Sequence, residues 1–265
     1  MNEEMPVIKN DIPILEFDTD PNAVIMPEHE QLGMHLPEKC VYAFLGSAID
    51  KYAQSHEANI VSWFVSETRN YPVYVLEFKG EEICMVQAPV GASASAQILD
   101  WLISYGVKEV ISAGCCGALT ELEENTFLIP KKALRDEGTS YHYLPPARFI
   151  DIDWTARTAI EKTLQEYGHS YREVITWTTD GFYRETKAMV AYRRKEGCEA
   201  VEMECSALAS CASMRGIIWG ELLFTADSLA DVENYDERGW GRDSFDVALI
   251  LCLEAAIKIE KEQSI

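Results

Sequence analysis

Positive charge is scarce in this chain. Across 265 residues, 23 Lys and Arg face 44 Asp and Glu, a formal net charge of −21. A surface of that sign repels phosphate backbones and anionic lipid, so neither nucleic acid nor a membrane is expected as a partner. Long apolar runs are also missing: no stretch approaches the ~18 continuous apolar residues of a membrane span. The first residues, Met1-Asn2-Glu3-Glu4-Met5, are acidic and carry no apolar run, which sets the expectation of a cytoplasmic protein. The eight cysteines include no Cys-x-x-Cys pair, which argues against a zinc cluster and for reduced, mostly buried thiols. No internal repeat, low-complexity tract or linker divides the chain. Its 48% hydrophobic and 25% charged content is that of an ordinary globular protein.

What is present is an alternation of short apolar runs and helical patterns. Residues 1–37 are Pro-rich and acidic and read as an extended arm; 38–265 read as one domain. Val41–Gly46 is a buried strand and turn. Val73–Phe78 and Ile83–Val86, joined by Lys79-Gly80-Glu81-Glu82, form a hairpin. Ala92–Tyr105 has helical spacing and stops at Gly106. Val110–Gly114, Phe127–Pro130 and Val174–Thr179 are strands. Helices are expected over 154–167, 187–196 and 204–214, closed by Gly168, Gly197 and Gly216, with a C-terminal amphipathic helix over 243–262. Strands alternating with helices imply an α/β fold on a largely parallel sheet.

The densest chemistry lies in Val201-Glu202-Met203-Glu204-Cys205-Ser206-Ala207. Asp227 follows 23 residues after Glu204, at the end of the apolar run Ile217–Phe224. Two acids at a strand-to-helix junction can approach one pocket, and a carboxylate is a good acceptor for a vicinal diol. Acids in the first turn of a helix are also what the helix dipole favours. An acid at the end of a buried strand is where α/β enzymes keep their chemistry; in isolation it also reads as a helix cap. Gly91-Ala92-Ser93 before a helix offers free backbone N–H groups. Gly114 and Gly117, flanking Cys115-Cys116, let backbone approach a ligand. Asp180-Gly181-Phe182-Tyr183 supplies an aromatic pair after a strand, a stacking face or part of a core.

Together these segments resemble the nucleoside phosphorylase/nucleosidase superfamily, in its purine/uridine phosphorylase family 1 branch. The resemblance implies a three-layer fold: a central mixed, largely parallel sheet flanked by helices. It implies that Glu204, with Met203 and Glu202, holds the ribose. Phe182, Cys116 and Gly117 would contact the base. Asp227 would protonate a purine leaving group, oriented by Arg242 or Arg238. Gly46, Arg69, Ser112 and Cys115 would stand at the phosphate positions. Two of the family's phosphate arginines are missing: Ser112 stands where one is usual, and Leu45–Lys51 lacks the usual Gly-Asp-Pro-x-Arg loop. Arg69 is the candidate for a third, lent by a neighbouring subunit, and Arg135 for a replacement cation. The implied partners are a nucleoside and phosphate, and the implied assembly is a homo-oligomer, a dimer or a trimer of dimers. No metal or organic cofactor is implied. Hydrolysis, with Asp50 near the position of a water-activating carboxylate, and nucleoside binding without catalysis remain open beside phosphorolysis. The presence of Asp227 and the Asp180–Glu204 spacing favour a purine.

Overall fold

The structure is a computed structural model and describes residues 7–259. Ten strands form one mixed sheet. The first four are β1 (Lys39–Ala43), β2 (Asn59–Val65), β3 (Asn70–Phe78) and β4 (Glu81–Gln87). Then come β5 (Glu109–Ala118), β6 (Phe127–Asp136), β7 (Phe149–Asp151), β8 (Tyr171–Thr179), β9 (Cys198–Glu202) and β10 (Ile218–Ser228). The helices are α1 (Ala48–Ser55), α2 (Ala92–Ser104), α3 (Ser140–Tyr143), α4 (Trp154–Glu166), α5 (Lys187–Lys195), α6 (Cys205–Arg215) and α7 (Phe245–Ile257).

Parallel pairings join β4 to β1, β1 to β5, β5 to β10, and β6 to β8 to β9. Antiparallel pairings extend the sheet through β3 and β2 at one edge. Because β10 pairs with both β5 and β6, the strands β5, β9, β8, β6 and β10 close on themselves. β5 is buried throughout except at Cys115, the near-continuous burial expected of a strand covered on both faces.

One apolar layer packs α1, α4 and α7 against the sheet; the other packs α2 and α6. The C-terminal helix departs from the amphipathic expectation. Its residues from Leu251 to Ala256 are all buried, because α7 is wedged between α4 and the sheet instead of lying on the surface. Residues 260–262 of the expected helix lie outside the described residues. The segment before β1 lies on the body: Trp101 Nε1 donates to Glu30 (3.2 Å) and Arg215 to the Pro21 carbonyl (3.1 Å).

The contact of β10 with α4 is tight. A Cβ at Gly220 would stand 2.6 Å from the Cβ of Ala156. Gly220→Ala is therefore expected to destabilise the fold by about 1–3 kcal/mol through overpacking. Urea unfolding checks this, and a loss under about 0.5 kcal/mol would show that the helix yields freely.

Candidate active site

Two features of the sheet create the site. β5 and β9 meet antiparallel only at their C-terminal ends, where Gly117 faces Val201. The Cys115–Gly117 segment and the Glu202–Glu204 junction therefore open on one space. In β10, Thr225 is level with Cys116 but Ser228 with Ala118, one residue too many for the register. That bulge falls at Ala226-Asp227, and a bulge re-aims a side chain that a regular ladder would direct elsewhere. The result is a cavity of about 430 Å³, of a size for a small organic ligand.

Glu204 lies at the cavity wall, 8% exposed, accepting the Gly91 N–H at 2.5 Å. Gly91 has φ +103°, open to glycine but strained for other residues, and this aims its amide at the carboxylate. The amide expected to be free for an anion is thus engaged by Glu204. Burial, then the neighbouring Glu202, pushes the Glu204 carboxyl up to about 8. Glu202 also lines the cavity, but its carboxylate is taken up by the scaffold. Its Oε1 accepts from Thr176 (3.2 Å) and Thr178 (2.6 Å), and its Oε2 from the backbone N–H groups of Glu204 (2.7 Å) and Cys205 (2.6 Å). With four donors it is saturated, and it serves to fix the turn that presents Met203 and Glu204.

Asp227 is 6% exposed. Tyr235 donates to its Oδ2 at 3.1 Å, delivered there by the Ser228–Asp236 bridge that folds the following loop back. Burial raises the Asp227 carboxyl; the Tyr235 hydroxyl and, more weakly, Arg238 pull it down without cancelling that rise. A Cβ at Gly117 would stand 3.3 Å from Oδ1 and 2.9 Å from Val201, so this glycine keeps the inner face of the acid open. Arg242 does not orient Asp227. It is exposed on a short 3-10 turn, and the hydroxyl of Tyr235 takes the place assigned to it.

Phe182 lines the cavity at 41% exposure, with the Tyr183 ring edge-on at 5.0 Å. Met203, Cys115, Cys116 and Gly117 line it as well. The Cys116 thiol is turned to the Phe224 carbonyl (3.5 Å).

Comparison with known proteins gives the family. The family model of the Phosphorylase superfamily matches residues 40–258. The chain belongs to the phosphorylase superfamily. A DeoD-type purine nucleoside phosphorylase of Shewanella denitrificans is 27% identical over 200 residues, covering 74% of this chain and 84% of the relative. A guanosine phosphorylase of Halorubrum lacusprofundi is 23% identical over 162 residues, covering 61% and 67%. Among solved structures, uridine phosphorylase from Vibrio fischeri superposes with a TM-score of 0.71 at 23% identity, covering 84% of this chain and 93% of that one. AMP nucleosidase from Bacteroides thetaiotaomicron superposes with a TM-score of 0.69 at 22% identity, covering 85% and 90%. At such identities the structural matches establish the fold.

Against the superfamily pattern, the expected phosphate positions scatter. Ser112 points into the core: its Oγ accepts from Trp219 Nε1 (3.0 Å) and its carbonyl from the Cys252 thiol (3.7 Å). Gly46 is exposed at φ +56°, next to the Phe245 ring, and does not line the cavity. Arg135 is buried away from it, donating to Ser140 Oγ, Leu144 O and Pro145 O. Asp50 accepts from Tyr74 (3.0 Å) outside the lining. Arg69 is exposed in the β2–β3 turn, 5.3 Å over the Tyr71 ring. Only Cys115 of this group reaches the cavity, where burial and the carboxylates of Glu204 and Asp227 push its thiol up to about 11.

The unanticipated cavity residues include Glu185, Glu221 and Trp240. Glu185 follows the aromatic pair and is raised to about 7 by burial and Asp227. Glu221 was visible as the one acid inside the apolar run Ile217–Phe224, and that interruption was the available signal.

Proposed function

We propose that this chain cleaves the N-glycosidic bond of a purine nucleoside with phosphate as acceptor, giving free base and a pentose 1-phosphate. The observation that carries the reading is that Glu204, Asp227 and Phe182, from three separate segments of the sequence, line one cavity. Glu204 accepts the ribose hydroxyls beside Met203, most strongly once its carboxyl has ionised. Phe182 stacks on the base. Asp227, its carboxyl raised by burial, delivers a proton to the base as the C1′–N bond breaks, so the base leaves neutral. The purine-named relatives and the presence of Asp227 favour a purine base. No metal or organic cofactor enters these steps.

Phosphate needs a cation, and the reading takes it from Arg69 of a second copy. The edge strand β2 exposes Ile60, Val61, Trp63 and Val65 beside that arginine, which suits a homo-oligomer built from dimers.

A second reading, hydrolysis, is favoured by one observation: none of the residues lining the cavity is Lys, Arg or His. Incubation with a panel of nucleosides, with and without phosphate, separates the two. Phosphorolysis requires phosphate and yields a sugar phosphate. Cleavage at equal rate without phosphate would establish hydrolysis, and no cleavage in either condition would overturn both.

A further inference from the structure

The cavity is acidic beyond what the proposed reaction uses. Glu204 and Asp227 have roles in it and Glu202 is saturated by the scaffold, but Glu185 and Glu221 line the same space with no task. Glu221 rises from the middle of β10, level with Ser112 on β5, and is 1% exposed. Its Oε2 has no hydrogen-bond partner among the described residues. An unmatched buried oxygen on a residue that lines a cavity offers a place to a ligand group. Nearby cations are held elsewhere. Arg238 donates to the Leu122 carbonyl and pairs with Asp236, and Arg194 donates to the carbonyls of Leu229 and Ala230.

Near the mouth, three aromatic side chains, Phe182, Tyr183 and Trp240, line the cavity together with Glu185. Aromatic faces attract a cation through the ring quadrupole, and more strongly when water is excluded. Carboxylates behind such faces add a Coulomb attraction that acts over several ångströms.

We propose that this site prefers a nucleoside whose base is itself a cation: a ribosylated heteroaromatic ring with a quaternary nitrogen, such as an N-ribosyl pyridinium or an N7-alkylated purine nucleoside. The inference rests on the nucleoside reading above and names the charge of its substrate. Burial and neighbouring carboxylates push Glu185 up to about 7 and Glu204 up to about 8. A cationic base supplies the missing counter-charge.

The chemistry balances without an acid. The C1′–N bond breaks, its electron pair stays on the ring nitrogen, and the base departs neutral. C1′ bonds to a phosphate oxygen, and the proton of hydrogen phosphate is released to solvent. Asp227 then acts as counter-ion to the ring.

Equilibrium binding without phosphate tests this. The probes are 1-(β-ribofuranosyl)-3-carbamoylpyridinium, its neutral 1,4-dihydropyridine counterpart of nearly the same shape, and inosine as a reference for the nucleoside reading. The cation is expected to bind about tenfold or more tightly than its neutral counterpart at low salt, with the ratio narrowing at high salt. Glu185→Gln and Glu221→Gln are each expected to lower that ratio. Glu185 stands on a surface segment, so its variant tests the idea even where loss of Glu221 disturbs folding. Equal or weaker binding of the cation, with inosine bound or cleaved, overturns the inference and leaves the nucleoside reading standing. If none of the three binds, the nucleoside reading falls and the inference falls with it.

Discussion

Asp227→Asn is expected to lower kcat on 6-oxo- and 6-aminopurine nucleosides by ~10²–10⁴-fold, the usual loss for a general acid. The amide cannot donate a carboxyl proton, while its size and its contact with Tyr235 are retained. Oδ2 is occupied by the Tyr235 hydroxyl, so the proton to be delivered sits on Oδ1, the oxygen that Gly117 leaves uncovered. A nucleoside with an activated leaving group needs no such proton, and the variant should lose far less on it. Steady-state rates on both substrate types decide the matter. Equal losses would make Asp227 a positioning residue for the base, and undiminished rates on both would remove it from the mechanism.

Glu204→Gln should lower kcat/KM for ribonucleosides by roughly ten- to a hundredfold, since a hydrogen bond to a charged group contributes ~1.5–3 kcal/mol. A 2′-deoxynucleoside, with one hydroxyl fewer to hold, should suffer less. The pH profile adds a second signature. Glu204 stands near 8 in the free protein, so its carboxylate forms, and diol binding improves, as pH rises toward and through that value. Asp227 acts as the acid only while protonated, so its contribution declines with rising pH. The two together give a bell-shaped kcat/KM. The glutamine variant should lose the ascending limb and keep the descending one. An ascending limb that survives the substitution would show that Glu204 does not produce it.

Much of this was legible in the amino-acid sequence, for stated reasons. Strand ends and helix stops were marked by Gly106, Gly168, Gly197 and Gly216, all at positive φ in the structure. The acids Glu204 and Asp227 stood out because each ends or follows an apolar run, and they do share a cavity. What failed was side-chain direction. Ser112 and Glu221 are level with each other on adjacent strands, yet the serine turns to Trp219 while the glutamate lines the cavity. Linear spacing cannot report that choice. Tyr235 was hidden for a different reason: it reaches Asp227 only because the chain doubles back at Ser228 and Asp236. The apolar surround of α7 was misjudged because its flanking charged residues suggested a wet face. Packing between α4 and the sheet leaves none over Leu251–Ala256.

Cys115 is the cysteine of this chain that structure leaves exposed, and it faces the carboxylates. A thiol held near 11 presents only ~10⁻⁴ of itself as thiolate at neutral pH, and the thiolate is the form that peroxide and alkylating reagents attack. Desolvation in the cavity wall, reinforced by the carboxylates of Glu204 and Asp227, thereby passivates this sulfur. The remaining seven thiols are shielded by burial. For Cys115 the chemistry of the thiol is what is withheld from an oxidant, and for the other seven it is access.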